Sequence, residues 1–146
     1  MIDIIFIANL WHNIFSYNTT PKKEIFRIET IIKKERTPLD NWFDKVLPPL
    51  KKQESGGDWF AVNEGDALIT GHPSIGCYQF QPPTFIAGIN RYQLLPYAEK
   101  AEYMNFIYDC DFQEKLVKLM LQEDNGWRHW WTSFNLLGLP KHPPKN

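Results

Sequence analysis

Two cysteines in 146 residues, Cys77 and Cys110, are too few for a disulfide framework. They suit a single bridge in an exported protein and a pair of buried thiols equally well. The four histidines, His12, His72, His129 and His142, are scattered, and no Cys/His spacing resembles a zinc site, so no metal is expected. Sixteen Lys and Arg against seventeen Asp and Glu leave a formal charge of −1. With no basic tract either, a nucleic-acid partner has no electrostatic support. Long hydrophobic runs are also missing. The apolar stretch from Ile4 to Leu10, with aromatics on to Phe15, is too short to span a membrane. It is preceded by Asp3 and by no Lys or Arg, so it reads as a packed segment rather than an export signal. No internal repeat or low-complexity tract occurs.

What the chain has is aromatic mass: six Trp, six Tyr and ten Phe, within a hydrophobic share of 43%. That excludes disorder, and the length suits one domain over 1–146, with 1–20 and 140–146 peripheral and the tail frayed. Most of the rings belong to a core. A minority in an open groove would suit sugars, whose C–H faces stack on apolar rings.

The periodicity is mainly helical. Thr20-Pro21 opens a helix carrying Ile25, Ile28, Ile31 and Ile32. A second helix starts near Asp40 with the stripe Trp42, Phe43, Val46 and Leu47, and Pro48-Pro49 is expected to interrupt it before a short turn to Ser55. Four glycines and short apolar runs from Gly56 to Pro73 predict loops and a small β-hairpin, with Asn63-Glu64-Gly65-Asp66 at its tip. Helix returns after Pro82-Pro83 with Phe85, Ile89 and Tyr92 on one face. It returns again over 98–108 and over 111–124, where Asp111 is the expected N-cap and Phe112, Leu116, Leu119 and Met120 the stripe. A last helix, Trp127 to Leu137, carries Trp127, Trp130 and Trp131 on one face.

The chemistry gathers in Gln53-Glu54-Ser55-Gly56-Gly57 and Ser74-Ile75-Gly76-Cys77-Tyr78-Gln79-Phe80. Each piece alone is common. In this order, at a helix end followed by a loop insert and a helix start, Glu-Ser-Gly and Ser-x-Gly-x-x-Gln resemble the signature of soluble lytic transglycosylases and goose-type lysozyme relatives. The direct match covers Gln53 to about Thr84. The resemblance implies a lysozyme-like α+β fold dominated by helices, and cleavage of the β-1,4 bond between N-acetylmuramic acid and N-acetylglucosamine in peptidoglycan. It implies no cofactor, and an enzyme working as a monomer in the cell envelope, outside the cell, or released by a phage at lysis.

On that resemblance Glu54 is the catalytic acid and base. A carboxyl donates a proton near neutral pH only when its pKa is raised, chiefly by desolvation. A helix C-terminus disfavours the anion as well. Trp59 and Phe60 are the expected shield. Ser74, Gly76, Tyr78 and Gln79 take the substrate-binding role. Gly76 would let the backbone approach a sugar, Tyr78 would present backbone groups to an N-acetyl, and Gln79 would offer both a donor and an acceptor.

Several features depart from the family pattern. Cys77-Tyr78 stands where Leu-Met is usual. The insert between Glu54 and Gly76 is longer by several residues and brings Asp58, Glu64 and Asp66. Asp66 is the best candidate for a second carboxylate, which would turn the reaction toward hydrolysis. The near-neutral charge contrasts with many wall-degrading enzymes. The family's late Ala-x-Tyr-Asn-x-Gly motif has only the loose counterpart Trp131-Thr132-Ser133-Phe134-Asn135, leaving Tyr103, Tyr108 and His129 as candidates for its tyrosine. A hydrolytic lysozyme or chitinase-like enzyme of the same fold, a non-catalytic glycan-binding module, and an unrelated helical interaction domain in which Glu-Ser-Gly is coincidental are the alternatives.

Overall fold

The computed structural model describes residues 35–145, and the chain divides into two units, Met1–Glu35 and Arg36–Asn146. The N-terminal segment and the helix expected after Thr20 lie outside the described residues. The second unit is predominantly helical, with one small two-stranded sheet. Among the described residues no helix is long and apolar enough to cross a membrane.

Helix α1 (Pro38–Ser55) starts on a capping box. The Thr37 hydroxyl accepts from the Asp40 N–H at 3.1 Å, and the Asp40 carboxylate accepts from the Thr37 N–H at 2.9 Å. Trp42, Phe43, Val46, Leu47 and Leu50 form its buried stripe. The expected break at Pro48-Pro49 does not occur; the helix runs through both prolines. The carbonyls that lose their donors belong to the exposed residues Asp44 and Lys45, where water can take them. The apolar side chains on both sides of the prolines are meanwhile locked in the core. Burial of a large apolar side chain is worth about 1.5–3 kcal/mol. Several of them together outweigh the proline penalty of about 3 kcal/mol. Gly56, at φ 70°, closes the helix in the left-handed region and donates its N–H to the Lys52 carbonyl.

The insert is a hairpin of unusual shape. Strands β1 (Val62–Asn63) and β2 (Ser74–Ile75) pair antiparallel, Val62 with Ile75 and Asn63 with Ser74. The expected tip at 63–66 is instead the entry to a ten-residue excursion holding a single helical turn, α2 (Ala67–Thr70). Its apolar Leu68 and Ile69 are 90% and 85% exposed, so hydrophobicity there gave no strand. After β2 the chain folds back on itself. Ile75 and Phe80 exchange both backbone hydrogen bonds, at 2.9 and 3.0 Å, around the loop 76–79.

Helix α3 (Pro82–Tyr92) packs Phe85, Gly88 and Ile89 inward. The element expected over 98–108 is a shorter 3₁₀ helix, Lys100–Phe106. Helix α4 (Cys110–Leu121) is capped two residues earlier than expected: Asp109 rather than Asp111 caps it, accepting from the Asp111 and Phe112 N–H groups at 3.0 Å each. Its buried face is accordingly Cys110, Gln113, Leu116, Val117, Met120 and Leu121, with Phe112 and Leu119 only half-buried. The last expected helix is split into a 3₁₀ turn (Gly126–Trp130) and α5 (Trp131–Leu137). The change of pitch takes Trp131 off the face it was expected to share, so Trp127 and Trp130 are buried while Trp131 is 57% exposed. Leu139 packs on the core, Lys141 lies over the Trp127 ring at 4.5 Å, and Pro140, His142 and Pro144 share a groove with the start of α1.

Candidate functional site

Glu54 sits in the last turn of α1, where the chain must leave the helix through Gly56 and Gly57. Ser55, its neighbour, ties that helix end to the 76–79 loop: its hydroxyl donates to the Cys77 carbonyl at 2.9 Å and accepts from the Gly57 N–H at 3.1 Å. Helices α1 and α5 pack together. The contact places the Ser133 hydroxyl against Glu54, donating to Oε1 at 2.5 Å. Among the described residues, Oε2 receives no hydrogen bond.

The carboxyl opens on a cleft of about 310 Å³ lined by Asn63, Asp66, Ser74, Gln79, Phe80, Gln81, Thr84, His129 and Trp130. Two halves of the sequence signature, about twenty residues apart in the chain, therefore meet across one space. Desolvation pushes the Glu54 carboxyl above its ordinary range, the Ser133 hydrogen bond pulls it back, and the negative charge of Asp66 pushes it up again. Burial also pushes the His129 imidazole down, against a smaller upward pull from Glu123. The wall thus holds a carboxyl inclined to keep its proton and an imidazole inclined to lose one.

The expected binding residues divide into two groups. Ser74 and Gln79 line the cleft, and Asp66 stands with them, its carboxylate accepting a hydrogen bond from the Ser74 hydroxyl. Gln79 is held at φ 52°, and its Nε2 donates to the Gly76 carbonyl at 2.8 Å. The same nitrogen donates to the Ala61 carbonyl at 3.4 Å, so both of its donors are spent on backbone.

Gly76 and Tyr78 do not reach the cleft. Gly76, at φ 78°, is required by an internal approach: a Cβ there would stand 2.0 Å from Gln113 Nε2 and 2.7 Å from the Ile107 carbonyl oxygen. Tyr78 is fully buried, and both of its backbone groups are taken. Its N–H donates to Gln113 Oε1 and its carbonyl accepts from Trp130 Nε1, each at 2.8 Å. It therefore presents no backbone group to a ligand. The reason is geometric: in a four-residue loop closed by the Ile75–Phe80 pair, the inner residues turn toward α4 and only Gln79 turns out.

Other expectations also change. Trp59 and Phe60 do not shield Glu54; they are 46% and 73% exposed, and Phe60 lies against Tyr108 at 5.7 Å. The Asp58 carboxylate accepts from the Phe60 N–H at 2.9 Å, closing a local turn. Phe80 and Trp130 supply the apolar wall in their place, ring on ring at 5.4 Å. Of the three candidates for the late tyrosine, His129 lines the cleft, whereas Tyr103 is buried beside Asn90 and Tyr108 sits with Phe60.

Cys77 and Cys110 are joined as a disulfide, with Cα atoms 5.5 Å apart, pinning the loop to the start of α4. Among the described residues no group of three or more His, Cys, Asp or Glu gathers as a metal site. Sequence reasoning missed Ser133 and underrated Trp130. The only signal for Ser133 was its place in the loose late motif, and nothing local marks which hydroxyl of that motif faces α1. Compared with known proteins, the chain matches no family model, no curated protein and no solved structure.

Proposed function

We propose that this protein is a lytic transglycosylase of lysozyme-like fold, cleaving the β-1,4 bond between N-acetylmuramic acid and N-acetylglucosamine in peptidoglycan, with Glu54 as acid and then base. The observation that carries the reading is a half-buried carboxyl, raised by desolvation, opening on the cleft that also holds Ser74 and Gln79. The motif resemblance supplies the substrate.

In the first step the protonated Glu54 gives its proton to the bridging oxygen as the C1–O bond breaks, and the muramyl C1 gains oxocarbenium character. In the second, the Glu54 carboxylate takes the proton of the same sugar's 6-hydroxyl as O6 bonds to C1. The products are a free 4-hydroxyl and a 1,6-anhydro end, no water is consumed, and Glu54 is protonated again. Such a substrate places the reaction in the cell envelope or outside the cell.

A second reading, hydrolysis, is favoured by one observation. Asp66 lines the same cleft close enough for its charge to act on Glu54, and a second carboxylate is what would activate a water.

Digestion of purified sacculi followed by mass spectrometry separates the two. The anhydro product is lighter than the hydrolysed one by one water, and its appearance is the expected result. Undiminished release of fragments by Glu54→Gln would overturn both readings. Binding of sacculi with no release by the native protein would leave only a glycan-binding module.

A further inference from the structure

Glu54 has two carboxyl oxygens, and the fold treats them differently. Oε1 receives the Ser133 hydroxyl at 2.5 Å, from a side chain only 7% exposed on α5. Oε2 has no such partner among the described residues. Ser133 is set between Trp130, whose indole N–H is fixed on the Tyr78 carbonyl, and Phe134, which is fully buried. Its position is therefore locked by packing rather than by choice of rotamer at a surface.

We infer that Ser133 is a positioning residue for Glu54, holding Oε1 against α5 so that Oε2 is the oxygen offered to the glycosidic bond. The inference rests on the reading of Glu54 as the acid and base. A serine suits both steps. Its hydroxyl donates to the carbonyl oxygen of the neutral acid and to the same oxygen of the carboxylate, so the proton is given up and recovered on one atom without the side chain turning.

The charge environment gives the contact a second consequence. Among the described residues, the other titratable groups on the cleft are Asp66, before α2, and His129, in the 3₁₀ turn; α5, β1, β2 and the first turn of α3 bring none. Desolvation and Asp66 both favour the protonated form of Glu54, and the Ser133 bond opposes them. A group that must act as acid and then as base works best when neither form is strongly disfavoured. Ser133 supplies the opposing pull without introducing a cation that would hold the carboxylate ionised.

The test is a carboxyl-carbon NMR titration of Glu54 in the full chain, joined to kinetics on soluble peptidoglycan glycan oligomers. Ser133→Ala removes a donor to the charged form, so the Glu54 midpoint moves to higher pH. The alkaline limb of kcat/KM moves up with it, kcat falls about tenfold, and KM stays within experimental error. Ser133→Thr, which keeps the hydroxyl, restores the native midpoint and most of kcat. Ser133→Cys, of similar volume but a poor donor, behaves as Ser133→Ala does, and serves if the alanine variant does not fold. A native midpoint and native kcat in the alanine or cysteine variant would overturn the inference, as would a threonine variant no better than alanine. Failure of the proposed function registers separately, as a Glu54→Gln variant that still cleaves. The titration does not depend on turnover, so it judges the Ser133 contact in either case.

Discussion

Two glutamates flank the C-terminal half of α1, and they are opposites. Among the described residues, Glu54 faces the cleft with one hydroxyl donor and no cation. Glu114, on α4, lies in a separate groove of about 380 Å³, with Lys51 at 3.0 Å, Lys118 at 2.9 Å and the Tyr78 hydroxyl at 2.9 Å. Burial pushes the Glu114 carboxyl up, but its bonds to Lys118, Lys51 and Tyr78 outweigh that and hold it at about 2. Glu54 is displaced the other way. Partial burial alone therefore does not fix the direction in which a carboxyl is displaced; the supply of cations decides. The chain places Lys51 and Glu54 three residues apart on one helix, and the lysine is spent on the structural side.

The sharpest way to break this comparison is activity. Glu54→Gln is expected to lose about a thousandfold or more in wall cleavage, measured by dye release from labelled sacculi, and Glu114→Gln to stay within a few-fold of native. Equal losses would mean that the two carboxyls are not functionally distinct.

Stability of the loop that separates them comes next. Gly76→Ala forces a Cβ onto Gln113 and Ile107 in a left-handed backbone, and should cost about 3 kcal/mol or more in urea unfolding. Reduction of Cys77–Cys110, which closes a separation of 33 residues, should cost about 2–4 kcal/mol in the same assay.

The pH dependence of stability has opposite sign at the two sites. Glu54 has a raised folded pKa, so its contribution is fully present below the unfolded value near 4.5 and is lost as pH rises through the folded value. Glu54→Gln should therefore raise the melting temperature at neutral pH, with the gain vanishing in acid. Glu114 has a depressed folded pKa, so its contribution is present above about 4.5 and is lost as pH falls toward about 2. Glu114→Gln should lower the neutral melting temperature by an amount equivalent to no more than about 1 kcal/mol, since the pair is partly exposed and screened. Melts of both variants from pH 2 to 8 check the signs. The smallest effect is expected at Leu68→Ser, on the exposed turn α2, within about 0.5 kcal/mol of native by urea unfolding.

The helices are legible in the sequence to different degrees. The stripe of α1 is plain because apolar residues recurring at helical spacing leave little choice of face. Its continuity is not, because the proline rule counts lost hydrogen bonds and cannot see that they fall on the solvent side. The hairpin residues can be found but their arrangement cannot, since Ala67-Leu68-Ile69 is apolar without being buried. At the site, the motif residues Glu54, Ser74 and Gln79 share one cleft, as their spacing in the signature leads one to expect. Gly76 and Tyr78 belong to the same motif yet serve the packing against Gln113. A motif records which residues a structure needs, and not which side of the chain each need lies on.

By itself the sequence determined some local terms: that the chain is mainly helical, which face of α1 is apolar, and that a carboxyl ends that helix beside a glycine pair. Those terms depend on spacing and backbone preference over a few residues. Only the tertiary structure decided the ionisation of that carboxyl, because desolvation, the Ser133 hydroxyl 79 positions away and the charge of Asp66 all act through space. It alone also decided that Cys77 meets Cys110, and that Lys51 meets Glu114 rather than Glu54, since each depends on how α4 and α5 pack around α1.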